Sequence, residues 1–550
     1  MDKVTGQIIR SSLLYASEEM GIALRNASYS PNIKDRMDHS AAIFDSEGRL
    51  LAQAEHIPVH LGSLPWGLKK LITASNKRGL PFEEGSMIVT NNPYLTGTHL
   101  NDVTVVSPIH YKGQLVGFTA NKAHHSDVGG SIPGSINMDS KTLFEEGFVL
   151  DPTYLMKNGK FVKDVLTLFS SHSRMPQERL GDLKAQAAAN ITGIRRVNQI
   201  VSKYGLANFE KAAIESFLYS ENLTRRRISS INKGTYTAED YLEHPDGHDI
   251  KLKAKLTISK QGIEIDYTGT DKETDCPLNA VFGVTLSGVY FVVRTLIGDD
   301  VPANHGSFAP ISVLAPKGTI VNPTFPHPVG GGNVETSQRN ADLVYRAFSK
   351  ALPEKVPTAS GGSMNNVMIG GVERGKSWAF YETIAVGLGG RKGMDGIDGI
   401  HCNMTNTMNT PIEEIERNTP MLITEYEFRA DSSGAGKYRG GSGVIRSFKM
   451  TSDSTIFTVL AGRERNGPWG LFGGNQGKKT EVILQRKNKK QKISSKKTLH
   501  LQKGDEIHIH TAGGGGYGSA YQRNKDKIKE DINNELITKN YAKKHYKMKA

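Results

Sequence analysis

Apolar and polar positions alternate along this chain with two periods, and the longer period predicts helices. Residues 3–27 place apolar side chains at the spacing of one face of a helix. Residues 64–77 also favour a helix, and residues 177–201 and 208–233 are rich in alanine, leucine, lysine, arginine and glutamate. We therefore predict a long N-terminal helix and, further on, an antiparallel pair of helices packed beside a β core.

The shorter period predicts two β-hairpins in the first quarter of the chain. Residues 41–44 and 50–54 are apolar runs on either side of the turn sequence DSEG. Residues 103–109 are rich in β-branched side chains, and residues 114–119 alternate, with the turn sequence HYKG between them. Residues 86–90 add a strand of the fully buried kind. These strands form the predicted core of the N-terminal part.

Beyond residue 250 the pattern becomes mainly that of strands. From Lys251 two β segments are followed by a helix over residues 287–297, and another helix begins near Ser337. Residues 425–518 contain short strands densely separated by glycine, which predicts a β sandwich or a barrel-like module. The predicted fold class is α+β and multi-domain.

We predict four regions, which combine a hairpin-rich core, a helical pair and a glycine-rich β module. They are an N-terminal α+β domain over residues 1–235, a central mixed α/β region with a substrate site over 236–420, a β module over 421–520 and a basic charged tail over 521–550.

Composition narrows the class of protein. Hydrophobic residues make up 37% of the 550 positions, which is typical of a globular chain, and no apolar run approaches the ~20 residues of a membrane span. Cys276 and Cys402 are the two cysteines, too few for a disulfide framework. We expect a cytoplasmic protein with no membrane association.

The formal net charge of +13 raises nucleic acid as a partner. Much of the excess lies within residues 486–503 and after Arg523, in segments that look like solvated surface. No recognition helix, zinc finger or aromatic RNA-binding signature accompanies it. We expect no nucleic acid partner, and an acidic protein partner is the second interpretation.

Three metal-ligand residue types meet at one end of the second hairpin. Folding the strands about Tyr111 and Lys112 brings Asp102 opposite the neighbourhood of Lys122, and His99 opposite His124. Imidazole nitrogens and a carboxylate on a rigid strand pair suit a catalytic divalent metal. The alternative is a set of polar loop-end residues with satisfied hydrogen bonds. The further residues His125 and Asp127 at the same end favour the metal.

Other polar residues lie near predicted strand ends or glycine loops. The first hairpin is flanked by Asp38, His56 and His60, where a helix cap or a buried histidine is an equally good interpretation. Glycines 330–332 precede Asn333 and Glu335 and permit close approach to a ligand, although a plain loop has the same pattern. Residues 403–409 hold several amides and hydroxyls, Asn406 among them.

Seven ordered motifs resemble the hydantoinase B family, over essentially residues 3–520. They are DRMDHSAAIFDSEGRLLAQAEHIPVHLGS, NNPYLTGTHLNDVTVVSPI, FTANKAHHSDVGG, SRMPQERLGDLKAQ, GGGNVETSQRNAD, HCNMTNTMNTPIE and PWGLFGGNQG. The family includes N-methylhydantoinase B subunits, the C-terminal part of 5-oxoprolinases and relatives in acetone and acetophenone carboxylases. The length favours the hydantoinase and oxoprolinase branch.

The resemblance implies a chain that works with a hydantoinase A type subunit. That partner binds ATP and phosphorylates the substrate, and the B-type chain completes the opening of a cyclic amide, so we expect a hetero-oligomer. The resemblance also implies a divalent metal of the Mn, Zn or Fe type, held at the positions of His99, Asp102 and His124.

On this interpretation the remaining candidates take roles around the metal. His125 and Asp127 are expected as general base or as residues that orient the ligands, with His56 and Asp38 as further catalytic candidates. His60, Asn333, Glu335 and Asn406 are expected near the substrate. Two other functions stay open: a subunit of an ATP-dependent ketone carboxylase, and a non-catalytic scaffold for the ATP-binding partner.

Overall fold

Four β-sheets organise this chain, whose computed structural model describes residues 2–548. The α-helices are α1 Lys3–Ala27, α2 Pro31–Lys34, α3 His60–Lys77, α4 Pro93–Thr96, α5 Leu143–Glu146, α6 Lys163–Ser171, α7 Pro176–Tyr204, α8 Leu206–Ser229, α9 Phe282–Ile297, α10 His305–Phe308, α11 Ser337–Phe348, α12 Ile412–Asn418, α13 Lys525–Asn533 and α14 Lys539–Tyr546. A π-helical turn, Gly332–Thr336, leads into α11, and a 3-10 turn covers Ala520–Gln522.

The strands follow the same chain order. They are β1 His39–Asp45, β2 Leu50–Ala54, β3 Met87–Thr90, β4 Asp102–Tyr111, β5 Gln114–His124, β6 Thr153–Lys157, β7 Lys160–Phe161, β8 Gly234–Glu243, β9 Asp249–Ile258, β10 Ile263–Asp266, β11 Ile311–Leu314, β12 Asn366–Glu373, β13 Lys376–Glu382, β14 Met421–Phe428, β15 Val444–Met450, β16 Thr455–Leu460, β17 Glu481–Arg486, β18 Lys489–Ile493, β19 Lys496–Leu501 and β20 Glu506–His510. The α+β class predicted from the sequence is confirmed.

The first sheet has the strand order β2-β1-β5-β4-β3-β6-β7 and contains both predicted hairpins. Its two faces are both covered. Ala42 and Phe44 pack with the core that includes α3, whereas Ala41 and Ile43 pack with α1, α7 and α8. Because successive side chains of a strand point to opposite faces, β1 is buried along its whole length.

The register of the second hairpin differs from the predicted one by about two residues. Asp102 pairs directly with His124, and Thr104 pairs with Lys122. The turn lies at Lys112 and Gly113, and a bulge between Ile109 and His110 adds to the offset. A shift of two residues keeps each side chain on its face of the sheet, so the predicted grouping of polar residues survives.

A second sheet, in the order β11-β10-β9-β8, begins earlier than the sequence pattern indicated. Strand β8 occupies residues that alternate only partly in polarity, and it crosses the boundary predicted at 235. Its apolar residues join those of the first sheet and of α9 and α11 in one continuous core. The predicted N-terminal and central regions therefore share a hydrophobic core.

The C-terminal module is a pair of facing sheets. Their orders are β13-β12-β16-β19 and β14-β15-β20-β17-β18, and side chains of both sheets form a second core. Strands β12 and β13 lie before the boundary predicted at 420 and yet pair into this module. Strand pairing across such a long separation leaves no local signal in the sequence.

Helices α13 and α14 pack against the module. Ile528, Ile537, Ala542 and Tyr546 form a small apolar cluster with Ala435. The segment predicted as a basic tail is therefore an ordered part of the fold through residue 548. Among the described residues, no helix combines the length and the apolar character needed to cross a bilayer.

Candidate metal centre

The hairpin β4–β5 and the loop before it bring three candidate ligands together. Asp102 is the first residue of β4 and His124 the last of β5, so they face each other as a cross-strand pair. His99 lies in the short loop that follows α4. That helix ends at Gly97, with φ of 83°, where an added Cβ would lie 2.9 Å from the Trp66 ring. The glycine thus allows the chain to turn back toward the sheet.

The ligand atoms form a nearly equilateral triangle. His99 Nε2 lies 3.1 Å from Asp102 Oδ1 and 3.0 Å from His124 Nδ1, and the third side is 3.1 Å. All three side chains are buried. Adjacent ligands of an octahedral ion, each about 2.1 Å from the metal, are separated by about 3.0 Å. The triangle has the dimensions of one face of such an ion's coordination shell.

Hydrogen-bonding demands within the triangle also fit a cation. His99 Nδ1 donates to the carbonyl of Gly330 at 3.1 Å, so in the neutral imidazole the lone pair lies on Nε2 and is directed at the triangle. A single proton on His124 Nδ1 can point along only one side of the triangle, so it can form a hydrogen bond with only one of the other two atoms. A cation bound at the triangle would be shared by all three atoms. These residues fit a divalent metal with a mixed nitrogen and oxygen preference.

The charges of the site favour an ionised carboxylate. Burial opposes ionisation of Asp102, but His99 and the hydrogen bonds from the neighbouring histidines outweigh it, and the pKa of Asp102 lies well below its usual range. Burial lowers the pKa of His124 and of His60. Burial would also lower the pKa of His99, yet Asp102 reverses that effect and raises it. An ionised carboxylate and a neutral His124 are the forms that bind a metal.

Two of the residues predicted for the substrate contact the candidate ligand Asp102. His60 Nε2 lies 3.4 Å from Asp102 Oδ2, and its Nδ1 lies 3.0 Å from the hydroxyl of Ser40. The amide of Asn333 donates to the same Oδ2 at 3.5 Å. Asn333 Oδ1 has no partner among the described residues. These contacts orient the carboxylate, and the free amide oxygen remains available to a ligand.

Asp38 is the predicted catalytic residue whose charge acts on the triangle. Its carbonyl accepts the backbone N–H of His124 at 3.0 Å. Burial lowers the pKa of His124, and the negative charge of Asp38 partly offsets that shift. Burial and then Asp38 also raise the pKa of Tyr381, whose ring stacks on His124 with centroids 4.5 Å apart.

His125 and Asp127 follow the candidate ligand His124 along the chain but form their hydrogen bonds elsewhere. His125 Nε2 bonds Gln186 Oε1 of α7 at 3.0 Å, and burial holds the pKa of His125 down to about 3. Asp127 accepts from the backbone of Gly129 and Gly134 and forms an ion pair with Arg174 at 2.9 Å. These bonds fix the segment after β5.

The remaining predicted residues lie in other surroundings. His56 is half-buried, with its ring 4.9 Å from that of His39, and its carbonyl accepts from the exposed Asn406. Glu335 bonds the hydroxyl of Ser363 at 2.7 Å, away from the triangle and within a separate group of buried charges. None of these three predicted residues shares a hydrogen bond with the ligands in the described part of the chain.

Sequence reasoning assigned no role to two buried residues that support the site. Glu146 accepts the N–H groups of Val329 and Gly330, and so fixes the segment whose Gly330 carbonyl accepts the hydrogen bond of His99. Lys122 donates to Ser63, Thr96 and Thr98 beside the site, and burial lowers its pKa to about 7. A lysine within the largely buried strand β5 was the available signal, whereas Glu146 becomes relevant only in three dimensions.

A cavity of about 390 Å³ lies beside the site. Tyr381, Asn32 and Arg36 form its inner wall. Asn32 donates to the carbonyl of His124 at 2.8 Å, and the buried guanidinium of Arg36 lies 5.1 Å from the Tyr381 ring centre. Apolar side chains, among them Trp378, line much of the rest. The cavity is therefore connected to His124 through Tyr381 and Asn32, which contact that histidine.

Comparison with known proteins identifies the family to which this chain belongs. The family model described as Hydantoinase B/oxoprolinase matches residues 2–520. The chain belongs to this family, which confirms the resemblance found in its motifs.

Relatives extend along nearly the whole chain. An uncharacterized protein of Methanocaldococcus jannaschii is 48% identical, covering 100% of this chain and 96% of its own length. A putative B-type subunit of a D-/L-hydantoinase from a Pseudomonas species is 31% identical, covering 99% and 95%. The 5-oxoprolinase of Dictyostelium discoideum is 32% identical over 94% of this chain, which spans only 40% of that larger protein.

Two solved structures share the fold. The ATP-dependent caprolactamase of Pseudomonas jessenii superposes with a TM-score of 0.92 at 27% identity, covering 99% of this chain and 96% of the other. An acetone carboxylase superposes with a TM-score of 0.91 at 18% identity, covering 99% and 79%. At that lower identity the second likeness concerns the fold alone.

Proposed function

We propose that this chain is the B-type subunit of an ATP-dependent cyclic-amide hydrolase. In this proposal an A-type partner binds ATP and phosphorylates the amide oxygen, and this chain then hydrolyses the ring. Membership of the family supports the proposal, as do the names of its relatives: a hydantoinase subunit, 5-oxoprolinases and a caprolactamase.

The observation that carries the proposal is the buried triangle of His99, Asp102 and His124. Its sides of 3.0 to 3.1 Å match one face of a metal's coordination shell. Tyr381, which stacks on His124, lines a cavity of about 390 Å³, which has room for a five-membered ring. A divalent metal there would supply a Lewis acid that polarises the substrate and makes water a better nucleophile at neutral pH.

The protein's own residues prepare that site in four ways. The Gly330 carbonyl holds the proton of His99 on Nδ1, and His60 and Asn333 orient the carboxylate of Asp102. Such outer contacts fix ligand geometry. We assign the general-base role to Asp38, whose negative charge partly offsets the effect of burial on the pKa of His124. His125 and Asp127 hold the chain after His124 in place.

The partner is proposed from what this chain shares with longer proteins. It spans about 40% of the length of the 5-oxoprolinases that it matches. We propose that a separate A-type subunit supplies the ATP-dependent step here, and that the two chains form a hetero-oligomer. Purified alone, the chain is expected to leave cyclic amides intact.

The test combines metal analysis with an assay. The chain and its co-expressed partner are supplied with 5-oxoproline, hydantoin, N-methylhydantoin and caprolactam, each with and without ATP. For His99→Ala and His124→Ala we expect a loss of one metal equivalent per chain. ATP-dependent ring opening should fall about 100-fold or more, because direct ligands matter at least as much as the groups that orient them.

His500→Ala, an exposed histidine on β19, is the matched control and should retain metal and rate. Full metal occupancy and full rate in both ligand variants would remove the assignment. Turnover of acetone or acetophenone that depends on bicarbonate would instead select a ketone carboxylase. Unchanged complex activity despite loss of the metal would select a scaffold.

A further inference from the structure

A second group of ligand residues lies in the turn between β8 and β9, with the sequence His-Pro-Asp-Gly-His. His244 Nδ1 and His248 Nδ1 lie 2.8 Å and 2.7 Å from the same atom, Asp246 Oδ1. The two imidazole rings stack, with centroids 4.4 Å apart and planes inclined by 15°. Three potential ligand atoms of one five-residue turn therefore converge.

The backbone holds this arrangement in place. The N–H of His244 donates to the carbonyl of His248 at 2.9 Å, and the N–H of Gly247 donates to the carbonyl of His244 at 3.1 Å. Gly247 has φ of 110°, which favours glycine. Because these backbone hydrogen bonds close the turn, its side chains have little conformational freedom. Such preorganisation favours ligand binding.

Hydrogen bonds alone do not satisfy all three converging atoms at once. The N–H of Asp246 lies 3.3 Å from His244 Nδ1 and requires a lone pair there, while Asp246 Oδ1 at 2.8 Å requires a proton on the same nitrogen. Oδ1 already accepts the backbone N–H of His248 at 3.2 Å. A cation satisfies the nitrogen lone pair and the carboxylate together.

We propose that His244, Asp246 and His248 form a second metal site, for a divalent ion of the Zn²⁺, Ni²⁺ or Co²⁺ kind. Two imidazoles and one carboxylate are the donor set that such ions accept, with the remaining positions open to water. Asp246 and His248 are exposed, so the ion reaches the site directly from solvent. The site shares no residue with the triangle at His99 and does not depend on the function proposed above.

The position of the turn gives the site a structural role. The carbonyl of His248 accepts from Arg465 at 2.7 Å, and Glu243 accepts the backbone N–H of Asn466 at 3.1 Å. These bonds join the β8–β9 hairpin to the loop that follows β16 in the C-terminal module. Bound metal fixes the turn and so strengthens this connection.

The experiment titrates the full chain, freed of metal by a chelator, with Zn²⁺. We expect His248→Ala to bind one equivalent fewer than the wild type, or to bind that equivalent about 100-fold more weakly. Asp246→Asn, which keeps the shape but removes the charge, should weaken the same equivalent. Zn²⁺ should also raise the thermal midpoint of the wild type more than that of His248→Ala, since binding to the folded state stabilises it.

His500→Ala serves again as the control, because it removes an exposed histidine that stands outside both groups. Protection by Zn²⁺ of His244 and His248 against diethylpyrocarbonate, read by mass spectrometry of the peptide, locates the ion independently. Equal stoichiometry and affinity in the wild type and His248→Ala would overturn the proposal, as would unprotected histidines at full occupancy.

Discussion

Glu335 lies in a buried group of charges that balances when its own carboxyl is protonated. The cations are Arg339, Arg463 and Lys496, and the carboxyl groups are Asp240, Glu243, Glu335 and Asp342. Three cations thus face four carboxyl groups. Burial raises the pKa of Glu335 to about 8, and its Oε2 has no partner among the described residues. A protonated Glu335 gives a neutral group.

This predicts how stability depends on pH. The folded state holds the Glu335 proton up to about pH 8, whereas the unfolded chain releases it near 4.5. The stabilising contribution is therefore complete below pH 4.5 and is lost as pH rises to 8, at most about 1.4 kcal/mol per pH unit. Glu335→Gln should flatten that part of the curve relative to wild type, as measured by urea unfolding from pH 5 to 9.

The exposed Glu530→Gln on α13 is the control and should follow the wild-type curve. Parallel curves for the wild type and Glu335→Gln would show that Glu335 is ionised in the folded state at neutral pH. The proton that balances the group would then have to lie on another carboxyl, such as Asp342, whose pKa burial also raises, and the role argued here for Glu335 would be wrong.

At the scale of elements, the C-terminal helices show how charged residues dock a segment. Asp531 of α13 accepts from Arg523 at 2.8 Å and from Arg439 at 2.9 Å, and the three side chains are buried. Asp395 bonds the other side of Arg523 at 2.7 Å. Polar helices with few apolar residues are thereby fixed to the module through ion pairs as much as through the small apolar cluster.

Asp531→Ala should release these helices. It leaves two arginines short of a buried partner, which costs about 3 kcal/mol or more. We expect trypsin to cleave within residues 523–548 at least tenfold faster than in the wild type, followed by mass spectrometry. The control Asp526→Ala removes an exposed carboxylate of the same helix, which bonds only Lys529 in the described structure. Equal cleavage of both variants would contradict the docking role.

At the scale of the whole molecule, buried charges join the larger core to the core of the C-terminal module. Asp240 belongs to β8 beside the larger core, and Arg463 follows β16 of the module and bonds Asp342 of α11 at 2.6 Å. The indole of Trp469 donates to Asp240 at 2.9 Å across the same boundary. Separating the cores would leave buried charges without partners, so the two parts depend on each other.

We therefore expect both cores to unfold in one transition. Trp66 packs on Phe282 beside the larger core, and Trp378 belongs to the module core. Fluorescence of two single-tryptophan variants, Trp378→Phe/Trp469→Phe and Trp66→Phe/Trp469→Phe, reports each core in turn. Their urea midpoints should coincide. Circular dichroism gives the overall unfolding midpoint of each variant and so corrects for any difference in their stability. If the fluorescence midpoints still differ after that correction, the two cores unfold as independent units.

The sequence alone determined the elements with strong local patterns. Helices α1 and α7 and the two hairpins lie within a few residues of their predicted bounds, because periodic burial of side chains is written directly into the chain. It also determined the family, since seven ordered motifs match it. The three candidate ligands were grouped correctly because a two-residue error in register keeps each side chain on the same face.

Only the tertiary structure decided which polar residues share a site. Asn333 reaches Asp102, whereas Glu335, two positions later, faces the buried charges, because the π-helical turn points them in different directions. Strands β12 and β13 join the C-terminal module through pairing with a distant strand, and Glu146 supports His99 through Gly330. Contacts between distant segments depend on how the whole chain packs, and local sequence holds no record of them.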